Sequence, residues 1–211
     1  MSAQLTPNGV RLVLARHGQT PSNVRHALDT LPPGPGLTEL GRAQARDLAE
    51  RLGEEKIISI HASRALRAQQ TAAPLAQRHG LDVAIVDGTH EIYVGDLEGT
   101  TDEASRQRFD DVYAEWHAGR LDEPMPGGET GRQALTRFLA AARQVLDGTT
   151  SGTAVLVSHG AMLRLVAGHL AVNIDGDLAN ATLLPNAGVI VLNGEDGHWH
   201  CTQWDGLDLD A

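Results

Sequence analysis

The chain has 211 residues, of which 41% are apolar, 21% charged and only 3% aromatic, enough for one ordinary domain with a core of Leu, Val, Ile and Ala. A formal net charge of −10, with no basic run, argues against a nucleic-acid partner or an anionic membrane surface. The single Cys201 excludes an intrachain disulfide and a thiolate zinc cluster, and the first residues lack a basic stretch followed by an apolar one, so the expected setting is cytoplasmic.

In chain order, residues 10–15 read as a buried strand ending at Arg16-His17-Gly18, followed by a Gly/Pro-rich loop with PPGPG at 32–36. Thr38 is placed to cap a helix whose Leu40, Ala43, Leu48 and Leu52 fall near one face. Residues 57–62 are a second strand. Ser63 is expected to cap a helix running to His79, with a kink at Pro74. Residues 81–86 are a third strand and 89–99 a turn-rich loop. Two helices are expected near 101–118 and 130–147, then a strand at 153–158 and a helix at 161–170. Residues 153–172 are the most apolar stretch, but His159, Arg164 and His169 interrupt it and it is too short to span a bilayer. Residues 188–193 and 198–204 form a closing hairpin around NGEDG.

Strands alternating with helices predict an α/β fold, a three-layer α/β/α sandwich with a mostly parallel sheet. One domain is expected over residues 1–211, with a small cap-like excursion near 100–128.

Ligands of open parallel sheets bind at the carboxyl ends of the strands. The expected strand ends carry Arg16, His17 and Gly18; then Ser63 and Arg64; then His90 and Glu91 in the following loop; then Ser158, His159 and Gly160. Two guanidinium groups clamp a tetrahedral dianion, two histidines serve as nucleophile and charge stabiliser, and a carboxyl gives a proton to a leaving oxygen. Nearby arginines disfavour imidazolium and bound phosphate favours it, so the net shift on an attacking imidazole is not readable from the sequence. Gly18 and Gly160 leave room for a substrate oxygen beside the backbone. No Walker loop, aspartate pair or thiolate set points to a metal or cofactor.

The strings LVLARHGQTPSN, LTELGRAQA, ASRALRAQQTAAPLA, HEIYVGDLEG, MPGGET and VLVSHGAMLR, in this order, resemble the histidine phosphatase superfamily, which has the phosphoglycerate-mutase-like fold. The resemblance runs from about Leu12 to Arg164. It implies that His17 is the phosphorylated nucleophile, that Arg16 and Arg64 grip the phosphoryl oxygens, and that His159 binds and stabilises the transferring group. It further implies that Glu91 protonates the leaving alcohol and that Asn23 adds a hydrogen bond to the phosphate. The implied substrate is a small phosphorylated metabolite, hydrolysed without metal or cofactor to inorganic phosphate. The rivals are phosphoglycerate-mutase-type transfer and a non-catalytic phosphate-binding module. Gln19, PPGPG and the acidic 100–128 segment, which lacks the paired arginines of the mutases, favour the phosphatase. A homodimer is expected from base rate alone.

Other residues carry two readings each. Glu129 is either a first-turn helix acid or part of the site. Phe109, Tyr113 and Trp116 are a packed face or a lid. Arg106, Arg108 and Arg120 are solvated or touch a second anionic group. His90 and Glu91 point to opposite sides of an extended segment, so at most one of them faces the pocket. Alternation separates His198 and His200 from Cys201, which disfavours a metal site there.

Overall fold

The computed structural model describes residues 9–147, 149–207 and 209. Among the described residues there are six strands: β1 Val10–Arg16, β2 Ile57–Ala62, β3 Val83–Ile85, β4 Gly152–Ser158, β5 Val189–Glu195 and β6 His198–Trp204. They form one sheet in the order β3-β2-β4-β1-β5-β6. The pairs β1–β4, β2–β4 and β2–β3 are parallel, whereas β5 runs antiparallel to both β1 and β6. The helices are α1 Pro21–Val24, α2 Glu39–Arg51, α3 Leu66–His79, α4 Glu103–His117, α5 Gly131–Leu146, α6 Gly160–Leu170 and α7 Gly176–Ala181.

Strand alternation builds two cores from one sheet. Leu12 and Leu14 of β1, Ala154 and Leu156 of β4, and Ile190 and Leu192 of β5 face one side, where α4, α5, α6 and α7 pack. Val13 and Ala15, Val155 and Val157, and Val189 and Val191 face the other, against α2 and α3. This is the three-layer sandwich expected from the sequence.

The central strands β1 and β4 are in register, with Arg16 opposite Ser158. The chain leaves β1 for α2 on one face and leaves β4 for α6 on the other. Their shared carboxyl end is therefore a switch point where the loops part and open a crevice. The backbone closes tightly just beneath it: the His17 N–H donates to the Ser158 carbonyl at 3.0 Å.

Some local expectations are corrected. The third strand shortens to Val83–Ile85, since it is an edge strand paired to β2 at only three positions. Ala65, not Ser63, is the N-cap of α3, and the helix runs through Pro74. Two short helices were not anticipated. Thr20 and Asn23 start α1 with a reciprocal capping box, and Asp175 caps α7.

Candidate active site

A cavity of about 580 Å³ opens at the switch point. Arg16, His17, Asn23, Arg67, Glu91 and Gly160 are among its lining residues. Its outer part is walled by Arg106, Phe109 and Asp110 of α4, Arg164 of α6, and Leu183 and Leu184.

His17 follows the last residue of β1 and is buried. Its Nδ1 lies 2.7 Å from the Gly18 carbonyl oxygen. A carbonyl only accepts, so Nδ1 carries the proton and Nε2 keeps its lone pair. Burial, then the charge of Arg67, then that of Arg16, push the imidazole well below its ordinary value of 6.5. The neutral ring is favoured, and burial is a larger cause than the neighbouring arginines that the sequence pointed to.

Gly18 does not make room for substrate. A Cβ on it would meet the Gly41 carbonyl oxygen at 2.5 Å, so it allows the loop after β1 to press on the start of α2. The Gly18 N–H donates to Thr71 Oγ1 at 2.9 Å, tying the same turn to α3. Gly160 accommodates a protein side chain instead: a Cβ there would stand 3.0 Å from Arg16 Nε.

The arginine clamp needs one correction. Arg16 sits at the cavity as expected, donating from Nη1 to the Leu184 carbonyl at 2.6 Å, while its buried Nε has no partner. Arg64 is not there. Its side chain is 65% exposed and pairs with Asp87 at 3.2 Å. The residue in the cavity is Arg67, 2% exposed, three positions later. Arg64 lies in the outward turn after β2. Arg67 opens the buried stripe Arg67, Thr71, Leu75 of α3, which faces the sheet. Arg67 Nη2 donates to the Asp29 carbonyl at 3.0 Å, and Asp29 Oδ1 lies 3.7 Å from Nη1. That Nη1 is buried with no hydrogen-bond partner. Both guanidinium groups line the cavity with His17, and each keeps one buried nitrogen without a hydrogen-bond partner.

Glu91 is the member of the His90-Glu91 pair on the cavity wall. Its carboxylate accepts from the N–H groups of Ile92 at 3.0 Å, Met162 at 2.9 Å and Ala161 at 3.2 Å. The last two open α6, where the helix end favours negative charge. Asn23 lines the cavity, and its Oδ1 accepts from the Thr20 N–H at 3.0 Å.

His159 is fully buried behind the cavity and does not line it. Its ring meets that of His17 edge-on, with centroids 5.2 Å apart. Nε2 lies 2.9 Å from Ser63 Oγ, whereas Nδ1 has no partner. Burial first, then Arg67, then His17, push its pKa well below 6.5.

The model of the histidine phosphatase superfamily, branch 1, matches residues 12–206. The chain belongs to this superfamily. It is 30% identical over 211 residues to a glucosyl-3-phosphoglycerate phosphatase of Mycolicibacterium vanbaalenii, covering 92% of this chain and 91% of that protein. It is 38% identical over 162 residues to a 2,3-bisphosphoglycerate-dependent phosphoglycerate mutase of Methylobacterium, covering 72% of this chain and 76% of the other. It is also 31% identical to PE-PGRS family protein PE_PGRS11 of Mycobacterium tuberculosis, over 96% of this chain but only 38% of that longer protein. A mycobacterial glucosyl-3-phosphoglycerate phosphatase solved in complex with VO3 superposes with a TM-score of 0.77 at 29% identity, covering 93% of this chain and 99% of that one.

For this member of the superfamily, strand-end reasoning missed three contributors besides Arg67. Asp29 holds Arg67, while Ser63, which stands at its expected strand end, holds His159. Asn186 donates from Nδ2 to the His17 carbonyl at 3.1 Å and to Asn23 Oδ1 at 3.2 Å. Arg164 lines the outer wall, donates to the carbonyls of Ala179 and Asn180, and lies 5.1 Å from the Tyr113 ring centroid. Only Arg67 had a readable signal, its place on an otherwise small and apolar helix stripe. Of the 100–128 residues, Phe109, Tyr113 and Trp116 are a buried face, and Phe109 also reaches the cavity. Arg106 lines the cavity, while Arg120 pairs with Glu115 and Arg108 is exposed. No helix among the described residues is long and apolar enough to cross a membrane.

Proposed function

We propose that the chain is a phosphomonoester hydrolase that works through a phosphohistidine on His17. The observation that carries this reading is the fixed tautomer of His17, whose free Nε2 lies at a cavity wall shared with Arg16 and Arg67. The phosphoryl group binds with its oxygens on those two guanidinium groups and on the Asn23 amide, which neutralise charge without a metal. His17 Nε2 attacks phosphorus in line with the ester oxygen. In its protonated form Glu91 gives a proton to the departing alcohol, and the carboxylate so formed takes one from the water that attacks the phosphohistidine. The second attack expels His17 and releases inorganic phosphate. His159, edge-on behind His17, backs the nucleophile's ring from its buried side.

The substrate in this reading is a small phosphorylated metabolite that fits beneath the 100–128 segment, which acts as a cap within a single domain. The likeness to glucosyl-3-phosphoglycerate phosphatases supports hydrolysis. A cytoplasmic setting goes with it. The likeness to a phosphoglycerate mutase favours a second reading, return of the phosphoryl group to a bound alcohol. Incubation with p-nitrophenyl phosphate and with 3-phosphoglycerate, in excess chelator, separates the two. Hydrolysis predicts free phosphate from either compound. Conversion of 3-phosphoglycerate to 2-phosphoglycerate without free phosphate establishes the mutase, and no turnover of either despite phosphate binding leaves a binding module.

A further inference from the structure

Glu91 stands in residues 86–94, which join β3 to a short 3₁₀ turn at Gly95–Leu97 and belong to no strand or helix. The backbone of such a segment has no ladder to fix it, so its polar groups need partners from elsewhere. One side chain supplies three of them. Arg137, from the middle of α5, donates from Nη1 to the carbonyls of Gly88 and His90, both at 2.8 Å, and from Nη2 to the carbonyl of Glu91 at 2.9 Å. Its remaining N–H groups go to Glu129, Nε to Oε2 at 3.0 Å and Nη2 to Oε1 at 2.5 Å. All five guanidinium donors are thereby used.

Glu129 does more than balance the charge. Its Oε1 accepts from the Tyr93 N–H at 2.8 Å, and its own N–H donates to the Tyr93 carbonyl at 3.0 Å. This approach requires Gly128, where a Cβ would stand 2.3 Å from the Tyr93 oxygen. The pair is largely shielded, with side-chain exposures of 17% and 12%. The carbonyls at 88, 90 and 91 and the amide at 93 are thus pinned from one side of the segment. On the other side the Glu91 carboxylate is seated on the first N–H groups of α6.

We infer that Arg137, held by Glu129, is a positioning residue that sets the Glu91 carboxyl at the cavity wall. The inference rests on the reading of Glu91 as proton donor. A planar fork with five donors is needed for it. A lysine ammonium keeps the charge beside Glu129 but has three donors and cannot span three carbonyls. Misplacement of a reacting group by about 1 Å costs up to about 100-fold in rate.

The test measures kcat and KM for an alkyl phosphate, whose leaving group needs a proton, and for p-nitrophenyl phosphate, whose leaving group needs little. Glu91→Gln is expected to lower kcat on the alkyl ester about 100-fold and to affect the aryl ester much less. Arg137→Lys is expected to reproduce that selectivity at about 10-fold or more, in kcat rather than KM. Glu91→Gln with Arg137→Lys is expected to show no more selectivity than Glu91→Gln alone. Equal losses on both esters for Arg137→Lys, or selectivity that multiplies in the double variant, overturn the positioning role. Equal losses for Glu91→Gln instead remove the proton-donor reading itself. If Arg137→Lys does not fold, Glu129→Gln with Arg137→Met, which leaves no buried charge, is subjected to the same comparison.

Discussion

The carboxyl ends of β1 and β2 supply the cavity in different ways. At β1 the strand itself delivers the chemistry: Arg16 ends it and His17 is the next residue. At β2 the chain turns outward at Arg64, and the cavity arginine comes from the first turn of α3. A residue at a strand end inherits its direction from the pleat and the register with β4. A residue past the next turn inherits it from the face the helix buries. Proximity in sequence to a strand end is thus a sufficient guide at β1 and a misleading one at β2.

Substitution at the two arginines near β2 gives the largest test of that contrast. Arg67→Ala is expected to lower kcat/KM for p-nitrophenyl phosphate by about 10²–10³-fold, the usual cost of removing a preorganised donor to the transferring group. Arg64→Ala, which loses an exposed pair with Asp87, is expected to stay within about twofold of the parent. A large loss at Arg64 and a small one at Arg67 would return the clamp to the outward turn.

A smaller effect concerns stability. Burial holds His17 and His159 well below 6.5, and burial, then Arg164, lowers His117 to about 4. In the unfolded chain each titrates near its ordinary value of about 6.5. Below that pH the unfolded state binds more protons, so stability falls on acidification from about pH 6.5 and is flat, for these groups, above it. Each histidine that stays neutral contributes a loss of about 1–2 kcal/mol between pH 6.5 and 5. Urea unfolding across this range checks the slope, and His117→Gln is expected to flatten its lower half. Stability that rises on acidification would contradict the neutral assignments.

The α/β/α sandwich was legible because its strands are continuous apolar runs bounded by turns, as at 153–158, and its longer helices carry caps such as Thr38 and Thr130. Arg16, His17 and Glu91 were legible because strand ends and one turn-rich loop carry them. His159 was located at its strand end, but behind the nucleophile rather than on the cavity wall. Glu129 stayed open between two readings, since its partners Arg137 and Tyr93 come from a helix and a loop whose docking no local pattern encodes. Asn186 and Asp29 were invisible for the same reason: each acts through contacts made only when distant loops meet.

The central claim is that the phosphoryl group passes through a covalent bond to His17. Rapid mixing with a radiolabelled phosphomonoester, quenching in alkali and peptide mapping test it directly. The account predicts an alkali-stable, acid-labile label on the peptide bearing His17 and none in His17→Ala. Full hydrolysis by His17→Ala, or label on another residue, would contradict it.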